Sequence, residues 1–226
     1  VLVLELLDSG LVKKEVVAAA ENDFIQAAAP WVEKLKLSDS LQYKAWRLVK
    51  LLSIFNTPAS NNALQQFLTV KSNDLKQQAA LYLLKNDQAV PGWVFDTLAA
   101  DRTRRNSLHQ ELTELKKVKL FPKKYLTQAY FAESDIASSF SDYVEPGSLQ
   151  FVKMLKAKYK GKQYRFYLYK ADYNYDDSTF TFLGVSGGWD TKGKKLESEG
   201  YLSGFYYDEA FDAARLEELL EAYLRN

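Results

Sequence analysis

Apolar side chains recur at helical spacing through the first two-thirds of the chain. Four segments align: "VLVLELLDSGLVKKEVV", "WRLVKLLSIFNTPASNNAL", "ALYLLKNDQAVPGWVFDTL" and "ELTELKKVKLFPKKYLTQA". With Lys13, Pro58, Pro91 and Pro122 taken as equivalent, Leu6, Leu51, Leu84 and Leu115 stand seven residues earlier. Val3, Leu48, Leu81 and Leu112 stand ten residues earlier, and a spacing of three places each pair on one helix face. Val16 and Val17, Val94 and Phe95, or Tyr125 and Leu126 follow the anchor. The second segment departs, with Ala63 and Leu64 further along. The pattern predicts a helix, a short break and a second helix opened by proline, whose missing N–H costs nothing in a first turn. Leu84 and Leu115 are expected at buried helix interfaces.

The anchors lie 45, 33 and 31 residues apart, a spacing typical of helical-hairpin solenoids. The pattern resembles HEAT-type repeats over roughly residues 1–142, and an irregular helical bundle is the alternative. Texture changes at "EPGS", Glu145–Ser148, where Pro and Gly mark a turn. A helix is expected over 148–160. "KQYRFYLYKA" then alternates, with Tyr164, Phe166 and Leu168 on one side and Arg165, Tyr167 and Tyr169 on the other, which predicts a strand. "STFTFLGVS" reads as its antiparallel partner, and "YLSGFY" as a short third strand. A closing helix over 208–225 has Asp208 as N-cap and an apolar stripe of Leu216, Leu219, Leu220 and Tyr223. The expected fold is mostly α: a HEAT-like helical-hairpin array over 1–145, then a small α+β unit with an antiparallel sheet over 146–226.

Composition narrows the chemistry. The chain has 226 residues, 47% of them hydrophobic, enough for one large domain or two small ones. It has no cysteine, which excludes disulfides, thiolate catalysis, cysteine–zinc sites and iron–sulfur clusters. No apolar run approaches the length of a membrane span. The start, "VLVLELLDSG", reads as the second half of a helix, so the chain is expected to be the C-terminal piece of a longer protein.

Three motifs offer chemistry. Gly184-Val185-Ser186-Gly187-Gly188 spells G-x-S-x-G, the nucleophile elbow of a serine hydrolase, which needs a strand, a sharp turn at Ser and then a helix. Here glycines follow the Ser, and the single histidine, His109, precedes it. Gly188 to Lys194 spells G-x-x-x-x-G-K, most of a phosphate loop, but Lys195 stands where Ser or Thr should bind magnesium. Asp172, Asn174 and Asp176 have the first spacings of a calcium loop, whereas Asp177 and Leu183 replace its Gly and Glu. The expectation is no catalytic, cofactor or metal site, with the glycines serving a β-turn region. Hydrolysis through Ser186 ranks third among the functions considered.

Charge is unevenly spread. Residues 102–170 carry a net charge of +9 and residues 171–226 a net of −7. The run "KMLKAKYKGKQYR" has six positive charges and no negative one: Lys153, Lys156, Lys158, Lys160, Lys162 and Arg165. These form the candidate partner surface. They bind a partner, nucleic acid being one class, or they face acids of the last helix such as Glu217, Glu218 and Glu221. The second reading is preferred, because the compensating charge lies just downstream. Nine tyrosines between Tyr159 and Tyr207 either stack bases or cover a thin sheet.

"FPKKYLTQAYFAES" followed by the "YLYK…TFLGVSG" hairpin resembles the C-terminal region of long bacterial proteins that begin with a TraB/GumN-type domain. That domain's GxxH signature is absent, so no active-site residue is carried over. The resemblance implies an accessory region of an envelope-associated bacterial protein. The function expected is a non-catalytic protein-interaction or scaffolding module without cofactor. Its partner is expected to be a protein or another domain of the parent chain. The alternative is a nucleic-acid-binding module using residues 153–165.

Overall fold

A computed structural model describes residues 17–38, 42–139, 148–175, 178–207 and 213–225. They fall into two compact units: the chain up to residue 98 together with 108–121, and residues 99–107 together with the chain from 122 onward. The first repeat segment up to Val16, the expected boundary at 145/146, and Asp208 lie outside the described residues.

The first unit is a helix array. Its helices are α1 (Glu21–Leu37), α2 (Gln42–Phe55), α3 (Pro58–Phe67), α4 (Asn73–Lys85), α5 (Gly92–Ala100) and α6 (Arg105–Glu114), the last two shared with the second unit at their ends. Most of the aligned leucines in the described residues are buried, with Leu51 and Leu115 only half-buried. Leu48, Leu81, Leu84 and Leu112 are the buried ones, and Leu115 is half-buried because α6 has already ended at Glu114. Each leading helix closes in the same way. Asn56, Asp87 and Lys116 follow α2, α4 and α6 with φ of 52°, 54° and 57°, the left-handed turn that ends helices. A proline follows two, four and six residues later, at Pro58, Pro91 and Pro122. Pro58 opens α3 behind a Thr57–Ser60 capping box, and Pro91 directly precedes α5. After Pro122 there is a correction. Only a 3₁₀ turn, Lys123–Tyr125, follows, and the next helix waits until Gln128.

Asparagines join successive turns of the array. Asn61 Nδ2 donates to Asn56 Oδ1 at 3.2 Å, and Asn86 Nδ2 donates to Asn61 Oδ1 at 3.1 Å. Gln65 Nε2 donates to the Ala89 carbonyl at 2.8 Å. Residues on α3 thus reach both the turn before it and the turn after α4, in a part-buried setting where a satisfied polar network fixes register.

The second unit is built on four antiparallel strands in the order β1 (Gln150–Tyr159), β2 (Lys162–Tyr175), β3 (Ser178–Asp190) and β4 (Gly200–Tyr207). β2, β3 and β4 match the strands read from the sequence. β1 replaces the helix expected over 148–160. Met, Leu, Lys and Ala there favour helix, but from Leu155 to Lys160 apolar and basic residues alternate, and alternation suits a strand with one covered face. The turn decides it. Tyr159 pairs with Lys162, and Lys160 and Gly161 both take positive φ, 46° and 78°, as a two-residue hairpin turn requires.

Helices cover both faces of this sheet. On one face α8 (Ala213–Arg225) packs the expected stripe of Leu216, Leu219, Leu220 and Tyr223 onto Phe166, Leu168, Leu183 and Val185. On the other face α7 (Gln128–Ser139) lies over β2 and β3. Gly184 permits that approach, since a Cβ there would stand 2.7 Å from Ile136 of α7. The Tyr169 hydroxyl donates to the Ala129 carbonyl at 3.1 Å, and its burial among these helices pushes its ionisation up.

Candidate functional site

Ser186 lies inside β3 and is fully buried. No helix follows it directly, and the glycines after it make a β-bulge. Arg165 pairs with Trp189 and Tyr167 with Ser186, so β3 holds one extra residue there, with Gly188 at φ 75°. The bulge restores side-chain parity, so Ser186 and Trp189 point to the same face. The Ser186 hydroxyl accepts a hydrogen bond from Trp189 Nε1 at 2.9 Å and donates to Asp135 Oδ2 at 2.8 Å. Ser198 donates to the same oxygen at 3.0 Å, and Asn106 Nδ2 donates to Asp135 Oδ1 at 2.6 Å. Burial raises the Asp135 carboxyl above its ordinary value, and the hydrogen bonds from Ser186, Ser198 and Asn106 oppose that rise.

The phosphate-loop pattern has an equally local explanation. The backbone N–H of Lys192 donates to Asp190 Oδ1 at 2.7 Å, and those of Lys194 and Lys195 donate to Oδ2 at 3.0 and 2.6 Å. The loop's amides therefore converge on an anion as a phosphate loop's do, and the anion is the chain's own carboxylate. These bonds, led by Lys195, hold the Asp190 carboxyl below its ordinary value. Buried Gln128 of α7 closes the loop, donating to the Asp190 carbonyl at 3.1 Å and the Lys195 carbonyl at 2.9 Å.

Two residues with no local signal in the sequence organise this unit. Asp135 collects the serines described above. Arg105, 2% exposed, donates to the Ala99 carbonyl at 2.8 Å, the Tyr130 carbonyl at 2.7 Å and Glu133 at 2.8 Å. Its guanidinium lies over the rings of Tyr125 and Tyr130, 5.0 and 4.8 Å from their centres. Arg102 shares Glu133 at 3.1 Å. Among the described residues no group of His, Asp and Glu could hold a metal ion. Asp172 and Asn174 pair with Thr181 and Thr179 as strand residues, and Asp176 and Asp177 lie outside the described residues. His109 sits edge-on to Phe121 in the helix array, at 5.0 Å between ring centres. Among the described residues no helix is long and apolar enough to cross a membrane.

The six basic candidates divide. Lys153 pairs with Glu217 of α8 at 2.8 Å, as the charge-compensation reading expects. Arg165 turns onto the loop, donating to the Thr191 carbonyl. Lys160 lies over the Tyr159 ring at 4.7 Å, and Lys162 is exposed at the hairpin end. Lys156 and Lys158 depart from that reading. They alternate with Leu155, Ala157 and Tyr159, which pack in the α8 core, so they project from the opposite face and are exposed. On that face α7 covers β2 and β3 but leaves β1 open, where Phe151 is 57% and Met154 40% exposed. Phe151 leans on Tyr167 and Tyr169, with ring centres 6.5 and 5.7 Å apart. A cleft of about 160 Å³ continues from Phe151 to Ala129, Tyr130, Glu133 and Tyr169. The strand tyrosines Tyr159, Tyr167 and Tyr169 are buried, which makes them part of the sheet's packing. No protein family, curated protein or solved structure matches the chain.

Proposed function

We propose that the chain is a non-catalytic protein-interaction module whose contact surface is the face of β1 left open by α7. The observation that carries this reading is the strip of Phe151, Met154, Lys156 and Lys158, apolar at one end and basic at the other. Exposed aromatic and thioether groups beside cations are the make-up of a contact surface. The groups that spell catalytic motifs are already spoken for: Ser186 by Asp135 and Trp189, and the loop amides by Asp190. A nucleic-acid reading draws on the same two lysines, which meet no acid of α8. It is weakened by the burial of Tyr167 and Tyr169, since single-strand binding needs a row of exposed stacking platforms.

Immobilised wild-type chain and a Lys156→Glu/Lys158→Glu variant, both exposed to extract of the source organism, test the proposal. Proteins retained by the wild type should be lost from the variant. Equal retention by both rejects β1 as the contact surface.

A further inference from the structure

The geometry points to an acidic, extended peptide as the occupant of this surface, added beside β1 as a fifth strand; this rests on the reading of β1 as the contact surface. Among the described residues β1 pairs with β2 alone, so it is an edge, and an edge strand offers unpaired backbone groups to an incoming chain.

Charge selects the occupant. Lys156 stands directly opposite Arg165 in the register, and like charges across a strand pair are destabilising. Arg165 eases this by turning onto Thr191, but neither Lys156 nor Lys158 has an acidic partner among the described residues. A strand carrying carboxylates at alternate positions would place them against both lysines at cross-strand distance. Two residues further on, its side chain would meet Met154 and Phe151, which calls for an apolar or aromatic group there. For an antiparallel addition the peptide therefore reads acidic, any, acidic, any, apolar from its N-terminus. A second copy of the chain fits poorly where antiparallel self-pairing of β1 is centred on Lys156 or Ala157, because that sets lysine against lysine. The lysines thus act as a filter, opposing neutral self-association and admitting an acidic strand.

Fluorescence anisotropy on the whole chain tests this with a labelled peptide in which valines alternate with two aspartates and then a phenylalanine. Saturable binding is expected, weakened about tenfold or more in Lys156→Glu/Lys158→Glu, whose melting temperature should equal or exceed that of the wild type because a glutamate at position 156 would face Arg165. A peptide of the same composition with the aspartates adjacent, and one N-methylated on its backbone, should each lose as much. Absence of saturable binding overturns the proposal. So does equal binding of the rearranged or N-methylated peptide, which would mean charge attraction without strand addition. Tighter binding of labelled oligouridylate than of the peptide also overturns it and favours nucleic acid. The extract comparison separates the two levels: proteins lost with the lysine variant, without peptide binding, leave β1 as the surface and remove the acidic strand.

Discussion

The hydroxyl of Ser186 donates a 2.8 Å hydrogen bond to Asp135, across the interface between β3 and α7. In a hydrolase elbow the serine would be presented to substrate at a turn and paired with a histidine. Here it joins a strand to the helix that covers it. The same bond explains why a serine is tolerated in a buried strand: both its donor and its acceptor are used.

Ser186→Ala should therefore be a stability lesion. It removes a partner from Trp189 Nε1 and from Asp135 at once, and each unsatisfied buried group costs about 1–3 kcal/mol. Urea unfolding followed by Trp fluorescence measures the loss. Labelling of the wild type by a fluorophosphonate probe, absent in Ser186→Ala, would contradict this account.

The two carboxylates of the site should titrate on opposite sides of their ordinary value of 3.8. Asp135 is raised, chiefly by burial, so its protonated form is the one the fold favours. Its contribution to stability is present below 3.8 and declines as pH rises through its folded value. Asp190 is lowered by the loop amides, so its contribution is present above 3.8 and is lost as pH falls through its folded value. Carbon-detected NMR titration of the two side chains, assigned with Asp135→Asn and Asp190→Asn, checks the order. Asp135 titrating below Asp190 would contradict it.

Gly184→Ala should destabilise by about 1–3 kcal/mol, the usual cost of overpacking, because its Cβ would press on Ile136. Combining it with Ile136→Val should recover part of that loss, giving a coupling of about 0.5 kcal/mol or more in a double-mutant cycle. Additive effects would mean that α7 does not rest on Gly184.

What was legible in the sequence was local. The leucine spacings of the helix array and the stripe from Leu216 to Tyr223 each record one element burying one face, and the alternation of Tyr164 to Tyr169 records a strand whose two faces are both covered. β1 departs from the helix expected there because lysine, methionine and alanine suit a helix, while its strand character lies in a short alternation and the Lys160-Gly161 turn. The glycines after Ser186 resembled a catalytic signature because a bulge and a reactive turn both need residues without side chains. The Ser186–Asp135 and Gln128–Asp190 bonds join residues 51 and 62 positions apart and leave no local trace. The same distance hid the fact that α7, by stopping short of β1, exposes Phe151 and Met154.

The central claim is that partners meet the open face of β1, and site-specific photo-cross-linking tests it most directly. A photoreactive phenylalanine analogue placed in turn at Met154, at Leu120 of the helix array and at exposed Glu218 of α8 samples three separate surfaces. After irradiation in the source cells, the account predicts discrete protein adducts from position 154, lost when Lys156→Glu/Lys158→Glu is added, and none from 120 or 218. Adducts from 120 or 218 with none from 154 would contradict it.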